Sequence, residues 1–364
     1  MIIIAGADMG DKDLTKKILK DSRFYYCLFV LVFVFCVLFV SFIHPANSRI
    51  NSEWSDYSDG WTYADGERVD FDDLMRNGEE VIQKEVSGSL LRNRVLCFYS
   101  KNIYFTVLLD DEVIYDFHPK SLKLLGKAYG IFPNSVTIPL KNAKGVVTIR
   151  LENIYDGTDG LLSEVSLGDG GRFLIGEIQK DLAEVVFCLM MFALGIVMFS
   201  LGLLGKYLGE RRYEIVSMGS FAVVLSIWIA METEIPSILT GLPVATHFVD
   251  YMMLDLLPFA FVLFLSYLTG HRDSKVPLVI GLLSSVNILF SMISTLLGFR
   301  DYHELLFLSH MIFGLTILLV IAQIVDGFIK KRLKRGFLVI LIVSVSLPLI
   351  IGSAEMIRYR LDPA

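Results

Sequence analysis

Asp255 stands inside one apolar run, seven residues past Phe248, and His310 stands inside another. Ionisable side chains at hydrocarbon depth are costly and default to functional hypotheses such as ion paths, proton relays or ligand contacts. On a helix, His247, Tyr251 and Asp255 recur at i, i+4 and i+8 and so share a face. At about 1.5 Å per residue, Asp255 would lie about 10 Å and His310 about 8 Å in from the nearer ends of their helices. Glu232, Asp250, Glu304 and Glu355 fall at the same level of the flanking segments. A polar pocket opening at one membrane face would gather them, for ligand binding or proton sensing. The same residues also serve packing when interhelical hydrogen bonds hold them, so both readings stand. No H-x-x-x-H spacing supports zinc, and no metal site is expected. No nucleophile converges with a base, so the chain is not expected to be an enzyme.

A second group lies in the segment 44–182: Trp54, Trp61, Tyr63, Tyr129 and Tyr155, with Asp156 and Asp159. Rings stack on the apolar faces of a sugar while carboxylates bind its hydroxyls, which would suit a carbohydrate or other small molecule. The competing use of the rings is to fill a core. Asp156-Gly157-Thr158-Asp159-Gly160 lacks the ligand spacing of an EF-hand loop and reads as a turn. Of four cysteines, Cys27, Cys36 and Cys188 lie in apolar runs and Cys97 alone lies in this segment. That leaves it no disulfide partner, and Cys97 reads as a small buried hydrophobe. No cofactor is implied.

The elements that must position these residues follow from hydropathy. The chain of 364 residues is 54% hydrophobic, above the 45–50% usual for soluble domains, with a mean hydropathy of +0.58. Its net charge of −6 argues against a nucleic-acid partner, which calls for a basic face. A spanning helix needs roughly 20 apolar residues. The runs 183–204, 213–231, 248–268, 276–297, 305–325 and 337–354 predict a six-helix transmembrane domain over 183–355. The run 24–43 is too long for a cleaved secretory signal. It follows Lys12, Lys16, Lys17, Lys20 and Arg23, and predicts an uncleaved signal anchor behind a cytoplasmic N-terminus, residues 1–23. Basic residues mark the cytoplasmic side of short loops. Lys206, Arg211 and Arg212, then His271, Arg272 and Lys275, then Lys330 to Arg335 fall in every second loop. Residues 44–182 and the tail 356–364 are thereby expected to be extracytoplasmic. Gln323 and Asp326 precede the last basic cluster, which would touch anionic lipid. A cytoplasmic output would need an even number of spans from this start, so the seven expected here imply an output supplied by an added segment or by a partner protein.

The outer segment is long enough for a domain with its own core. Short alternating runs at 81–86, 95–99, 104–109, 113–117, 136–140, 146–153 and 165–167 are rich in Val, Ile, Tyr and Phe and are parted by turn residues. Such spacing predicts an all-β sandwich.

The motifs Gly60-Trp61-Thr62-Tyr63, Val69-Asp70-Phe71, Phe105-Thr106-Val107-Leu108-Leu109-Asp110, Val147-Thr148-Ile149-Arg150-Leu151 and Leu167-Gly168-Asp169 resemble the extracytoplasmic β-domains of bacterial membrane sensors, which are similar to galactose-binding-like jelly rolls. Gly241-Leu242-Pro243, Phe248-Val249-Asp250-Tyr251, Leu256-Leu257-Pro258, Asp301-Tyr302-His303-Glu304 and Ser309-His310 resemble the membrane region of seven-transmembrane receptors with diverse intracellular signalling modules. The sensor portion of clostridial membrane diguanylate cyclases (GGDEF proteins) is the nearest variety, and no GGDEF stretch occurs in this chain. The resemblance implies a receptor input module for an extracytoplasmic small molecule or carbohydrate, working through a cytoplasmic output, with a homodimer possible. A transporter or channel with an accessory β-domain is the rival reading. No inverted repeat or matching pair of broken helices supports it.

Overall fold

A computed structural model describes residues 55–71, 74, 78–87, 95–119, 122–139, 144–155, 160–205 and 213–330. The expected anchor 24–43, Trp54, Asp156, Asp159, the expected span 337–354, Glu355 and the tail 356–364 lie outside the described residues.

Alternation of apolar and polar side chains places the strands in two antiparallel sheets that share one core. The strands are β1 (Ser55–Asp56), β2 (Thr62–Tyr63), β3 (Glu79–Ser87), β4 (Val95–Lys101), β5 (Ile103–Leu109), β6 (Glu112–Phe117), β7 (Ile131–Thr137), β8 (Lys144–Asn153), β9 (Leu161–Leu162) and β10 (Ser166–Gly168). One sheet runs β1-β10-β4-β7 with β9 also paired to β4, and the other runs β2-β3-β8-β5-β6. Inward-facing Ile82, Phe105, Val107, Val147 and Ile149 of the second sheet pack on Leu96, Phe98, Val136, Leu162 and Leu167 of the first. The Asp110-Asp111 turn between β5 and β6 has positive φ at both residues. That is the two-residue geometry matched to strand twist.

The strand expected at 136–140 lies instead at Ile131–Thr137. Its Pro133 is tolerated because β7 ends its sheet, where a missing ladder donor costs little. Trp61 and Tyr129 are corrections to the carbohydrate reading, being 0% and 1% exposed. Trp61 packs in the core and donates its indole N–H to the Tyr57 carbonyl. The Tyr129 hydroxyl donates to the Ile103 carbonyl at 2.6 Å and accepts from the Ile103 N–H at 3.0 Å. Rings locked in this way offer no face to a sugar. Tyr63 is half-buried and packs against the same core.

The helices are α1 (Gly170–Leu204), α2 (Tyr213–Glu232), the short α3 (Ile235–Thr240), α4 (Pro243–Leu268), α5 (Val276–Leu297) and α6 (Tyr302–Ile329). All but α3 are long and apolar enough to cross a membrane. Helix α1 starts at Gly170 rather than at 183, so the boundary expected at 182/183 falls inside it. Residues 170–182 are too polar to extend a spanning run, but Asp169 caps them by accepting the Arg172 N–H. Phe173 then packs its ring on Tyr99 of β4 at 5.5 Å. Helix α4 starts at Pro243, whose fixed φ suits a first helical turn, and Val244 joins the β-domain core. Pro258 lies inside α4 and removes one backbone hydrogen bond there. Helices α1 and α2 pack through Gly195 and Gly219. A Cβ on Gly219 would lie 2.5 Å from the Phe199 backbone nitrogen and 2.7 Å from the Gly195 carbonyl oxygen.

Candidate functional site

The β-domain sits on one end of the helices, and the candidate residues divide between that seam and a deeper node. On the β-domain side are the loop around the 3₁₀ turn Lys123–Leu125 and Tyr155 at the end of β8. On the helix side are the first turns of α4 and α6 and the last turn of α5.

Asp301 organises the seam. As N-cap of α6 it accepts the Tyr302 N–H, while Glu304 reaches back to the Asp301 N–H at 2.8 Å in a capping box. This satisfies the orphan donors of a helix start. The same carboxylate accepts the Lys127 N–H at 2.7 Å and the Tyr155 hydroxyl. The Tyr302 hydroxyl donates to the Leu124 carbonyl at 3.0 Å. Gly126 passes so close that a Cβ there would run into the Asp301 carboxylate, and its φ of +82° is one that glycine alone adopts readily. Gly130, at φ +66°, likewise leaves room for the His247 ring, which a Cβ would meet at 3.2 Å.

Around this joint the aromatic and imidazole rings converge. His303 Nδ1 lies 3.1 Å from the Tyr251 hydroxyl, and its ring lies 4.9 Å from that of Tyr155. His247 meets Tyr251 edge-on at 4.6 Å. Its Nδ1 is 3.8 Å from Asp250 Oδ2, a distance at which charge acts but no hydrogen bond forms. Glu232 at the end of α2 lies beside Asp250. Beside them, the Tyr99 hydroxyl donates to Glu177 of α1, whose other oxygen faces Lys180 at 3.5 Å. Burial, reinforced by the Asp301 charge, pushes the Tyr155 hydroxyl upward. Burial and the Glu177 hydrogen bond do the same for Tyr99. Both phenols are therefore neutral donors at ordinary pH. Burial pushes the Cys97 thiol up to about 12, which rules out a thiolate nucleophile there.

The structure thus brings together Tyr251, His247, Asp250, Glu232 and Tyr155 from the sequence reading and adds Asp301, Tyr302 and His303, which that reading did not place in the site. A signal was present. Asp301 followed three residues later by Glu304 is the capping-box spacing, and it dates the start of α6 to the seam.

Asp255 and His310 do not meet. His310 is exposed on the outer face of α6, while its neighbour Ser309 turns inward. Asp255 is one helical turn beyond Tyr251 and 5% exposed. It accepts Asn287 Nδ2 of α5 at 3.0 Å. The Asn287 amide also donates to Ser309 Oγ at 3.1 Å. Interhelical hydrogen bonds of about 0.6 kcal/mol each do not offset an aspartate ion at a helix centre, which costs about 2.5–3.5 kcal/mol.

A third polar cluster ties the opposite ends of the helices. His271 Nε2, in the loop between α4 and α5, lies 2.9 Å from Asp326 Oδ2 of α6. Thr269 Oγ1 lies 3.0 Å from His271 Nδ1. Gln323 accepts from Ser266 Oγ at 3.0 Å and donates to Ser274 Oγ at 3.1 Å. Among the described residues no group of three or more His, Cys, Asp or Glu is placed to hold a metal ion. Comparison with family models, with curated proteins and with solved structures finds no match.

Proposed function

We propose that this chain is the input module of a bacterial membrane sensor, in which an extracytoplasmic small molecule or carbohydrate biases the β-domain and the helices carry that bias to a cytoplasmic output. The observation that carries this reading is that α6 is fastened at both ends. Asp301 and Tyr302 tie its first turn to the β-domain, and Asp326 ties its last turns to the His271 loop. Between those two fastenings the helix spans about 37 Å at 1.5 Å per residue. A ligand can shift such an element only by its differential affinity for two arrangements. The seam, with its few buried hydrogen bonds and mixed aromatic contacts, is where two arrangements would differ. The resemblance to seven-transmembrane receptors supports the same reading. It extends to a galactose-binding-like jelly roll for the β-domain and to a diguanylate cyclase or histidine kinase as the output partner.

The test is hydrogen exchange on the full chain in lipid nanodiscs, comparing wild type with Tyr155→Phe and Asp301→Asn. Transmission predicts several-fold faster exchange in the 269–275 loop and the last turn of α6, as well as at the seam. Faster exchange confined to the seam in both variants would sink the reading. Solute flux through vesicles carrying the chain would favour the transporter instead.

A further inference from the structure

His271 is held so that each of its ring nitrogens meets a partner. Its place is set by the end of α4. Gly270 there turns into the left-handed region at φ +76°, its N–H donates to the Tyr267 carbonyl at 3.2 Å, and the His271 N–H donates to the Ser266 carbonyl at 2.8 Å. This glycine-ended helix stop finds donors for two late carbonyls, and it carries the imidazole over to α6. There Nε2 lies 2.9 Å from Asp326 Oδ2. Nδ1 lies 3.0 Å from Oγ1 of Thr269, which is 1% exposed. The Thr269 hydroxyl has one proton, and it donates this to the Leu265 carbonyl at 2.7 Å. With that proton committed, Nδ1 bonds Thr269 only by carrying a proton of its own, while Nε2 needs one to donate to the Asp326 carboxylate. A ring with both protons is an imidazolium. A positive charge also suits the place, because α4 and α6 both end there and helix C-termini favour cations. The other charged groups at this end are Lys330, 2.8 Å from Asp326 Oδ1, Arg272, which pairs with Glu214 of α2, and the exposed Asp273 and Lys275.

We propose that His271 binds a proton at the end of the helices opposite the β-domain, and that this proton tightens the joint between the α4–α5 loop and α6. When Nδ1 loses it, the Thr269 hydroxyl turns to the bare nitrogen, and the Leu265 carbonyl keeps the Thr269 N–H at 2.9 Å. The ring stays bonded on both sides, but the attraction between two charges across the joint is gone. The joint is weakened and not broken. The joined state therefore binds the proton more tightly than the parted one, so a rise in pH favours parting. The proposal rests on the lower fastening of α6 in the sensor reading and not on transmission from the seam. Seam variants that leave the loop unmoved sink transmission alone, and a loop indifferent to pH sinks this proposal alone.

The experiment is hydrogen exchange on the full chain in nanodiscs at about pH 5.5 and about pH 8.5, which bracket the range in which histidines ordinarily change charge. Each rate is divided by the chemical exchange rate of the same peptide at that pH. Protection of the 269–275 loop and of the last turn of α6 is expected to fall several-fold from the lower pH to the higher in the wild type. It is expected to stay level in His271→Gln, which keeps a neutral hydrogen-bonding side chain. Lys330→Met, which removes the cation competing for Asp326, is expected to move the fall to higher pH, a change that a purely structural histidine would not produce. The ring itself is read by nitrogen NMR of the histidine-labelled chain. The signals that vanish in His271→Gln should show two protonated nitrogens at the lower pH and one at the higher. A ring in the same protonation state at both pH values overturns the proposal, as does equal protection at both. A fall retained in full in His271→Gln, or one left in place by Lys330→Met, also overturns it.

Discussion

Glu234, between α2 and α3, shows how a single carboxyl is governed by its surroundings. Its backbone N–H donates to Asp181 at 3.1 Å, its side chain is hydrogen-bonded to Glu177, and Lys180 is 3.9 Å away. Burial first, and then the bond to Glu177, push the carboxyl up to about 8 from an ordinary 4.5. The folded state therefore prefers the protonated form. The stability this contributes is complete below about pH 4.5 and is lost as pH rises through about 8. Thermal midpoints of the wild-type chain should fall across that window, and Glu234→Gln should flatten the fall. An equal slope in the variant would assign the pH dependence to other groups. The acidic residues themselves were plain in the sequence. That Glu177 and Glu234 touch was not, because they are far apart in the chain and meet only through the packing of α1 against the α2–α3 junction. Trp61 and Tyr129 teach the converse, since residue type alone does not separate a binding ring from a core ring.

At the scale of elements, the contact between α1 and α2 depends on the absence of side chains. With Gly219 lying against the Gly195 carbonyl and the Phe199 backbone, a methyl group must displace main chain rather than a flexible side chain. Close approach through small residues is how membrane helices gain packing when lipid gives no hydrophobic drive between them. Gly219→Ala should cost roughly 1–3 kcal/mol, read as a lowered melting midpoint, and Gly219→Leu more. Gly314→Ala in α6, where a Cβ meets nothing within 4 Å, should be neutral or slightly stabilising, because alanine is the better helix former. A Gly219→Ala midpoint equal to that of Gly314→Ala would mean that the helices part without cost. The five helices long and apolar enough to cross a membrane were legible as apolar runs to within a few residues at most ends. The start of α1 was not, since its first turns are polar and are held by Asp169 and by the β-domain rather than by lipid.

For the whole molecule, the expected topology has a direct check. Val113 is exposed on β6 and Asp273 is exposed in the loop at the opposite end of the helices, while Cys97 and Cys188 are buried. Val113→Cys should react with a membrane-impermeant maleimide on intact cells, and Asp273→Cys only after permeabilisation. The reverse pattern would invert the orientation and put the β-domain inside. By itself the sequence determined that the chain is α plus β, with strands in one segment and helices long and apolar enough to span a membrane in another. Hydropathy, its periodicity and turn chemistry are local properties that act over a few residues. Only the tertiary structure decided that Asp301 joins the β-domain to α6, that His310 faces outward while Ser309 faces Asp255, and that Tyr155 belongs to the seam. Those outcomes depend on the rotation of each helix about its axis and on where the β-domain docks. Contacts between residues far apart in the chain set both, from 22 positions between Asn287 and Ser309 to 178 between Leu124 and Tyr302.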